Sequence, residues 1–406
     1  MTALVQIGVL KFGGTSLATE RAREIAVARV RETLERGLWA VVVCSAMGRA
    51  PEPYATDTLL ALGGTSAADA NADLLLACGE LISAALFARA LEREGMPARA
   101  LTGAQAGILT DATFGNARIL RVEPSRVRAL IDEGIVPVVA GFQGMTVDGE
   151  LTTLGRGGTD LSAISLGHAL GAERIDLYTD VSGAMSADPQ RVASARTIDR
   201  AHLLEMSEFS DHGATVMHAK AAEYARATRT PYAIKNLKTD RGTIVHDSLT
   251  LDRPVTGVTS TSDLCFICIL RDDAIDQQAR QELELAVFER LARERISLDQ
   301  ININAAGIFF AVRRKDAPRV RALLNVLKVT VRERDHCAKL SLVGAGMRGM
   351  PGVMYRIVAA LSAANVEIIH CTDSNITISI LIPQVDVARA ESAVHDRFEL
   401  EREEGA

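Results

Sequence analysis

The segment Lys11-Phe12-Gly13-Gly14-Thr15-Ser16 sets a lysine and two adjacent glycines between an apolar run and a helical pattern. The unpaired N–H groups that open a helix, with the positive end of its dipole, favour a phosphate, and glycines let the backbone approach it closely. Lys11 adds a point charge. A tight strand-to-helix turn capped by a serine accounts for the same letters, so this segment alone leaves both readings open. A second cluster, Leu154-Gly155-Arg156-Gly157-Gly158-Thr159-Asp160, precedes a helical pattern that runs through Leu161, Ile164 and Ala169 to Gly171. Three glycines can form an anion-binding nest, and an arginine fork matches a carboxylate through two parallel hydrogen bonds. An arginine and an aspartate in a glycine loop have little packing rationale, which favours a site over a turn.

Weaker signals lie between these clusters. Ser45 closes an apolar run, and strand C-termini in open α/β sheets are where ligands bind. Thr56 follows Tyr54-Ala55, and Glu80 follows Cys78-Gly79 in a helical stretch with Leu74, Leu75, Leu81 and Ile82 around it. Taken alone, Glu80 reads as a solvated helix residue; its apolar neighbours suggest an inward carboxylate.

Up to about residue 236, the strand-like runs 6–12, 39–44, 136–140, 175–178 and 232–234 alternate with helical patterns, as in an α/β sheet with helices on its faces. Val27, Val30 and Leu34 recur at helical spacing until Gly37. A polar stretch at 238–243, followed by 252–254, reads as a linker. Beyond it two βαββ-type modules are expected. One has strands at 264–270, 296–298 and 307–312, the other at 339–343, 366–368 and 376–381, with helices ending near Arg295 and Asn365.

Two further patterns are decoys: the first reads as a loop opening a small regulatory module, which can still bind a small ligand, and the second as core packing. Gly344-Ala345-Gly346-Met347-Arg348-Gly349 spells a dinucleotide fingerprint, but only about sixty residues follow, too few for a nucleotide-binding half-sheet. Cys265 and Cys268 form a Cys-x-x-Cys in a strand, where their side chains face opposite sides, and no second pair completes a zinc site. No metal site is assigned.

Together these pieces resemble the aspartate kinase family, over essentially the whole chain. The resemblance rests on Lys11-Phe-Gly-Gly-Thr-Ser, Val-Cys-Ser45-Ala-Met, Cys-Gly79-Glu80, Leu-Thr-Gly103-Ala-Gln-Ala-Gly, Val-Ala-Gly141-Phe-Gln-Gly, Leu-Gly-Arg156-Gly-Gly-Thr-Asp160 and Tyr-Thr179-Asp180-Val. The segment around Tyr54-Ala-Thr56-Asp57 is most similar to the diaminopimelate-sensitive Bacillus branch. The resemblance implies an α/β chain with an amino acid kinase fold, an open αβα sandwich, over 1–245. Two ferredoxin-like βαββαβ ACT modules would follow over 246–330 and 331–406.

For the site, the resemblance implies ATP held by Lys11, Phe12, Gly13, Gly14 and Ser45, with Thr179 and Asp180 on the nucleoside. Met185, Gln190 and Thr215 occupy nucleotide-side positions where the family has tyrosine, arginine and lysine. Aspartate would be held by Thr56, Glu80, Arg156, Gly157, Gly158 and Thr159: the arginine for a carboxylate, the glutamate for the ammonium. Lys11, Arg156 and Asp160 would carry the catalysis, with magnesium assisting. The attacking carboxylate, with an ordinary pKa near 3.9, is already ionised at neutral pH, so Asp160 is expected to orient Lys11 or assist the metal and substrate rather than take a proton. An amino-acid effector would bind near Gly346, Met347, Asp373 and Asn375. The first ACT module shows Asp272-Asp-Ala-Ile-Asp-Gln where the effector loop usually has Pro-Gly.

Two other functions remain open on sequence: a kinase for another small amino acid, and a degenerate paralogue acting as a regulatory subunit, which the three nucleotide-side departures would suit. The 406 residues are 48% hydrophobic and 24% charged, and the net charge of -6 gives no reason to expect nucleic acid or an anionic membrane as partner. No uninterrupted apolar run spans a bilayer and the opening residues lack a signal-peptide pattern, so a cytoplasmic location is expected. A homo-oligomer through the ACT modules is expected, since exposed sheets need covering.

Overall fold

A computed structural model describes residues 6–64, 68–214, 216–247, 253–270, 276–327, 329–347 and 349–402. The chain divides into two compact units, one of Met1–Ala184 with Thr197–Thr250 and one of Met185–Arg196 with Leu251–Ala406.

The first unit runs β1 (Ile7–Phe12), α1 (Gly14–Leu17), α2 (Glu20–Glu35), β2 (Trp39–Cys44), α3 (Thr56–Gly63), α4 (Ala70–Arg93), β3 (Ala98–Leu101), β4 (Ile108–Thr110), β5 (Ile119–Val122), α5 (Ser125–Asp132), β6 (Val136–Ala140), β7 (Gln143–Met145) and β8 (Leu151–Thr153). It continues with α6 (Gly158–Leu170), β9 (Arg174–Thr179), β10 (Arg200–His202), α7 (Leu203–Asp211), α8 (Ala219–Thr228), β11 (Tyr232–Asn236) and β12 (Gly242–His246). The main sheet has the order β10-β12-β11-β9-β1-β2-β6-β3, and a small sheet the order β5-β4-β7-β8. All five strand runs expected in this half are present.

Strand alternation sorts β1 between two layers. Leu10 and Phe12 pack in one core with Ala26, Val27 and Val30 of α2 and Ala84, Phe87 and Leu91 of α4. Val9 and Lys11 therefore face the opposite layer, where α6 lies so close that a Cβ on Gly167 would stand 2.4 Å from Ile175 Cδ1. Both long helices begin at side-chain caps: Thr19 accepts from Ala22 N and Asp69 from Ala72 N. By length and hydropathy α4 is apolar enough to cross a membrane, but here its buried residues join the sheet core. An uninterrupted-run criterion passes over it because Asp73 and Glu80 break the run.

The stretch at 238–243, expected to open a linker, is instead the tight connection between β11 and β12, which pair antiparallel. Asp240 occupies the left-handed region at φ 57°, and its carboxylate accepts from Tyr178 Oη at 2.9 Å. Turn residues and linker residues share one composition, so polarity alone misassigned this segment.

The second unit contains β13 (Gly257–Leu270), α9 (Gln277–Arg293), β14 (Asp299–Asn304), β15 (Gly307–Arg313), α10 (Ala317–Asn325), β16 (Val331–Val343), α11 (Val353–Ala363), β17 (His370–Asp373), β18 (Thr377–Pro383) and α12 (Val387–Arg397). Its sheet order is β14-β15-β13-β16-β18-β17. The two repeats interleave. β13 pairs with β16 over 257–261 against 339–343 and, after a register shift, over 264–269 against 331–337. Each repeat thus shares a long strand with the other.

Residues 296–298 and 366–368, expected as strands, are helix stops. Arg295 and Asn365 have φ of 54° and 52°, and the next N–H groups, of Ile296 and Val366, return to Leu291 O and Leu361 O at 3.0 and 2.9 Å. That is a left-handed C-cap with its apolar follower, and the strands begin only at Asp299 and His370. Ile296 and Val366, 70 residues apart, thus occupy matching caps rather than matching strands. Cys265 lies in a core with Ile267 and Val287 while Cys268 packs beside Phe266 and Cys337. Their opposite faces fit a packing role, and burial pushes the Cys265 thiol up to about 12.

Candidate active site

The C-terminal end of β1 delivers Lys11 toward α6, and Lys11 Nζ meets Asp160 Oδ1 at 2.7 Å, with the side chains 11% and 17% exposed. Asp160 lies in the first turn of α6, whose N-cap Gly157 is left-handed at φ 69°. Phe12 is wholly buried, stacked on Tyr178 at 5.3 Å and packed against Phe87 at 5.4 Å, so only its backbone can face a ligand. Gly13 donates to Tyr178 O. Gly14 has to be glycine: a Cβ would stand 2.7 Å from both Ala46 O and Gly48 O, because the loop after β2 lies directly against it.

That loop ties two predicted groups together. Ser45 Oγ donates to Thr159 Oγ1 at 2.9 Å, anchoring the glycine-rich loop to the end of β2, and Ala46 N donates to Glu80 Oε1 at 3.1 Å. Glu80 is 2% exposed, and among the described residues its other oxygen has no hydrogen-bond partner. Burial, only partly offset by the backbone N–H groups, pushes its carboxyl up to about 8. Gly79 lets the backbone of Tyr54 lie over α4 beside Glu80, since a Cβ there would meet Tyr54 O at 2.8 Å. Thr56, two residues after Tyr54, is the first residue of α3.

The Arg156 side chain is exposed, and the backbone beside it is tightly specified. A Cβ on Gly157 would fall 2.1 Å from His218 Cβ, and one on Gly158 would meet Phe142 and Leu154 below 3 Å. His218, which precedes α8, was not singled out from sequence. Its Nδ1 is buried without a hydrogen-bond partner among the described residues, and burial, then the charges of Lys220 and Arg156, hold its imidazole below the ordinary pKa against the pull of Asp160. Its only local signal was its place in Gly213-Ala-Thr-Val-Met-His218.

On the expected nucleoside side, Thr179 ends β9 and Asp180 pairs with Arg49 at 3.1 Å. Asn236 Nδ2 donates to Asp180 O. Met185 and Gln190 fall in the segment 185–196 of the second unit, and Thr215 lies outside the described residues. In that unit Gly346 and Met347 form a short 3-10 turn after β16, Met347 buried and Gly346 pressed on Arg253 O, while Asp373, at the end of β17, and Asn375, in the turn to β18, are exposed.

Residues 6–236 match the amino acid kinase family and residues 340–398 the ACT domain. Aspartokinase 1 of Bacillus subtilis (strain 168) is 37% identical over 409 residues, covering 98% of this chain and 100% of its own length. The aspartokinase of Geobacillus stearothermophilus is 36% identical over 411 residues, covering 98% of each chain. The fold is also that of Escherichia coli aspartokinase III, solved in complex with aspartate and ADP, with a TM-score of 0.78 at 24% identity over 97% of this chain and 100% of that one. Full-length similarity at this level, together with both domain matches, places the chain in the amino acid kinase family as an aspartokinase carrying a C-terminal ACT domain.

Proposed function

We propose that the chain transfers the γ-phosphoryl group of ATP to the side-chain carboxylate of L-aspartate, giving 4-phospho-L-aspartate and ADP. The observation that carries the site assignment is the pair of bonds from consecutive residues, Ser45 to Thr159 and Ala46 to Glu80. They bring a half-satisfied buried carboxylate and the arginine-bearing glycine loop to one strand end. Glu80 and Thr56 are assigned to the ammonium end of aspartate, Arg156 with Gly157, Gly158 and Thr159 to a carboxylate. Lys11, Gly13, Gly14 and Ser45 are assigned to the phosphates, and Thr179 and Asp180 to the nucleoside.

The chemistry needs no proton transfer. An aspartate carboxylate oxygen bonds to the γ-phosphorus, the bond from phosphorus to the β-γ bridging oxygen breaks, and ADP leaves with that electron pair. The protein aligns two anions and stabilises charge on the moving group, a task for Lys11 and the backbone N–H groups of the glycine segments. Asp160 holds the lysine in place. Magnesium, when bound, would neutralise phosphate charge, and Asp160, the partner of Lys11, would help hold it.

We assign 1–245 to the kinase domain and 246–330 and 331–406 to two ACT modules, with an amino-acid effector near Gly346, Met347, Asp373 and Asn375. Assembly through the ACT modules and a cytoplasmic location complete the proposal. The test is ADP release with magnesium-ATP and L-aspartate, the acyl phosphate trapped as its hydroxamate, beside parallel reactions with glutamate and N-acetylglutamate. Aspartate-dependent hydroxamate is expected. Turnover only with another acid would reassign the substrate, and absence of magnesium-ATP binding by calorimetry would make the chain a regulatory subunit.

A further inference from the structure

Asp73 lies in the first turn of α4 and is fully buried, yet the assigned reaction does not use it. Its carboxylate accepts four hydrogen bonds. Thr153 N donates to Oδ2 at 2.6 Å and Thr153 Oγ1 to Oδ1 at 2.9 Å, while Gly115 N is shared between the two oxygens at 2.9 and 3.0 Å. Burying a carboxylate is costly unless it is fully hydrogen-bonded, so this one fixes its donors firmly.

Both donors lead to Arg156. Thr153 ends β8, three residues before the arginine, and Ala117 N donates back to Thr153 O. Gly115 and Asn116 form the surface on which Gly155 rests: a Cβ on Gly155 would stand 2.8 Å from Asn116 Oδ1 and 3.1 Å from Gly115 O. From the other side Lys220 Nζ donates to Leu154 O at 3.1 Å and to Asn116 Oδ1. The exposed Arg156 side chain takes its place from this backbone.

Asp73 and Glu80 lie seven residues apart on one helix, about two turns and roughly 10 Å along a common face. We propose that Asp73 is a positioning residue for the amino-acid substrate. Through Thr153 and Gly115 it locks the loop that presents Arg156, so that the single rigid helix α4 sets the spacing between the carboxylate-binding arginine and the ammonium-binding Glu80. This rests on the assignment of Arg156 and Glu80 to aspartate.

The test compares Asp73→Asn, Thr153→Val, Arg156→Ala and the double variant Asp73→Asn/Arg156→Ala. Asparagine keeps the shape but turns an amide N–H₂ toward the N–H donors. Asp73→Asn should raise KM for aspartate on the order of tenfold, below the ~10²-fold that a misplacement of about 1 Å costs, with KM for ATP within about twofold. Thr153→Val should move the same constant in the same direction by less, and it decides the matter if Asp73→Asn does not fold. The double variant should be no worse than Arg156→Ala alone. Equal effects on ATP and aspartate, additivity in the double variant, or an unchanged aspartate KM in folded Thr153→Val and Asp73→Asn would overturn the positioning role. An unchanged aspartate KM in Arg156→Ala would instead remove the site assignment beneath it.

Discussion

Lys11 on the first strand and Asp160 on the sixth helix form an ion pair of 2.7 Å within a mostly buried setting. The lysine is thereby held at the end of the sheet beside the glycine segments rather than left to sweep through solvent. Lys11→Met should lower kcat by roughly 10²- to 10³-fold, the scale of removing one preorganised electrostatic group. Asp160→Asn should fall between that variant and wild type, because the cation remains but loses its anchor. Hydroxamate formation measures both, and undiminished turnover in Asp160→Asn would strike that residue from the machinery.

Glu80 predicts a pH dependence with a definite sign. Burial pushes its carboxyl up to about 8 from an ordinary value of 4.5. Between those values the folded state binds more protons than the unfolded state, so this group makes stability fall as pH rises through the window. A substrate ammonium ion favours the ionised form. Aspartate binding near pH 7 should therefore release close to one proton, read from calorimetry in buffers of different ionisation enthalpy, and affinity should rise toward pH 8. Glu80→Gln should lose the proton release and the aspartate affinity together while gaining relative stability at high pH.

Gly157 meets His218 as a steric partner. An alanine there suffers the left-handed φ of 69°, about 1–2 kcal/mol, and a Cβ 2.1 Å from His218 Cβ. Gly157→Ala should raise the aspartate KM sharply. Adding His218→Gly removes the collision but not the backbone cost, so partial recovery is expected; no recovery would locate the whole effect in the backbone.

In the second unit, Arg191 donates to Glu391 Oε1 at 3.0 Å and to Ser260 Oγ at 2.6 Å. Glu391 is fully buried, and burial raises its pKa despite the arginine. Nearby, His395 is fully buried with Ser186 Oγ on Nε2 and Ser194 Oγ on Nδ1. Arg191→Ala leaves a buried carboxyl short of a donor and should cost about 1–3 kcal/mol, measured by denaturant unfolding. Amide exchange across 186–196 should quicken.

Much of this was legible locally. The apolar runs that became β1, β2, β6, β9 and β11 are short and bounded by glycine or polar residues, and the period of two within β1 separates Lys11 from Phe12. The glycine clusters before α1 and α6 were equally plain, because a backbone that turns sharply or approaches another chain segment closely has few residue types to choose from. Full-length resemblance supplied the family.

Other features were decided by packing between segments distant in the chain. Nothing near Glu80 announces that one carboxylate oxygen will meet Ala46 N, and nothing near Asp73 announces Thr153 or Gly115. The polar turn at 238–241 looked like a linker, and Ile296 and Val366 looked like strand residues when they close helices. Nor does sequence say that residues 185–196, flanked on both sides by the first unit, pack with the second. Composition and periodicity report a residue's own backbone and which face it belongs to. A buried group's partners, and hence its charge state and its part in a site, are set by whatever the tertiary fold brings against it.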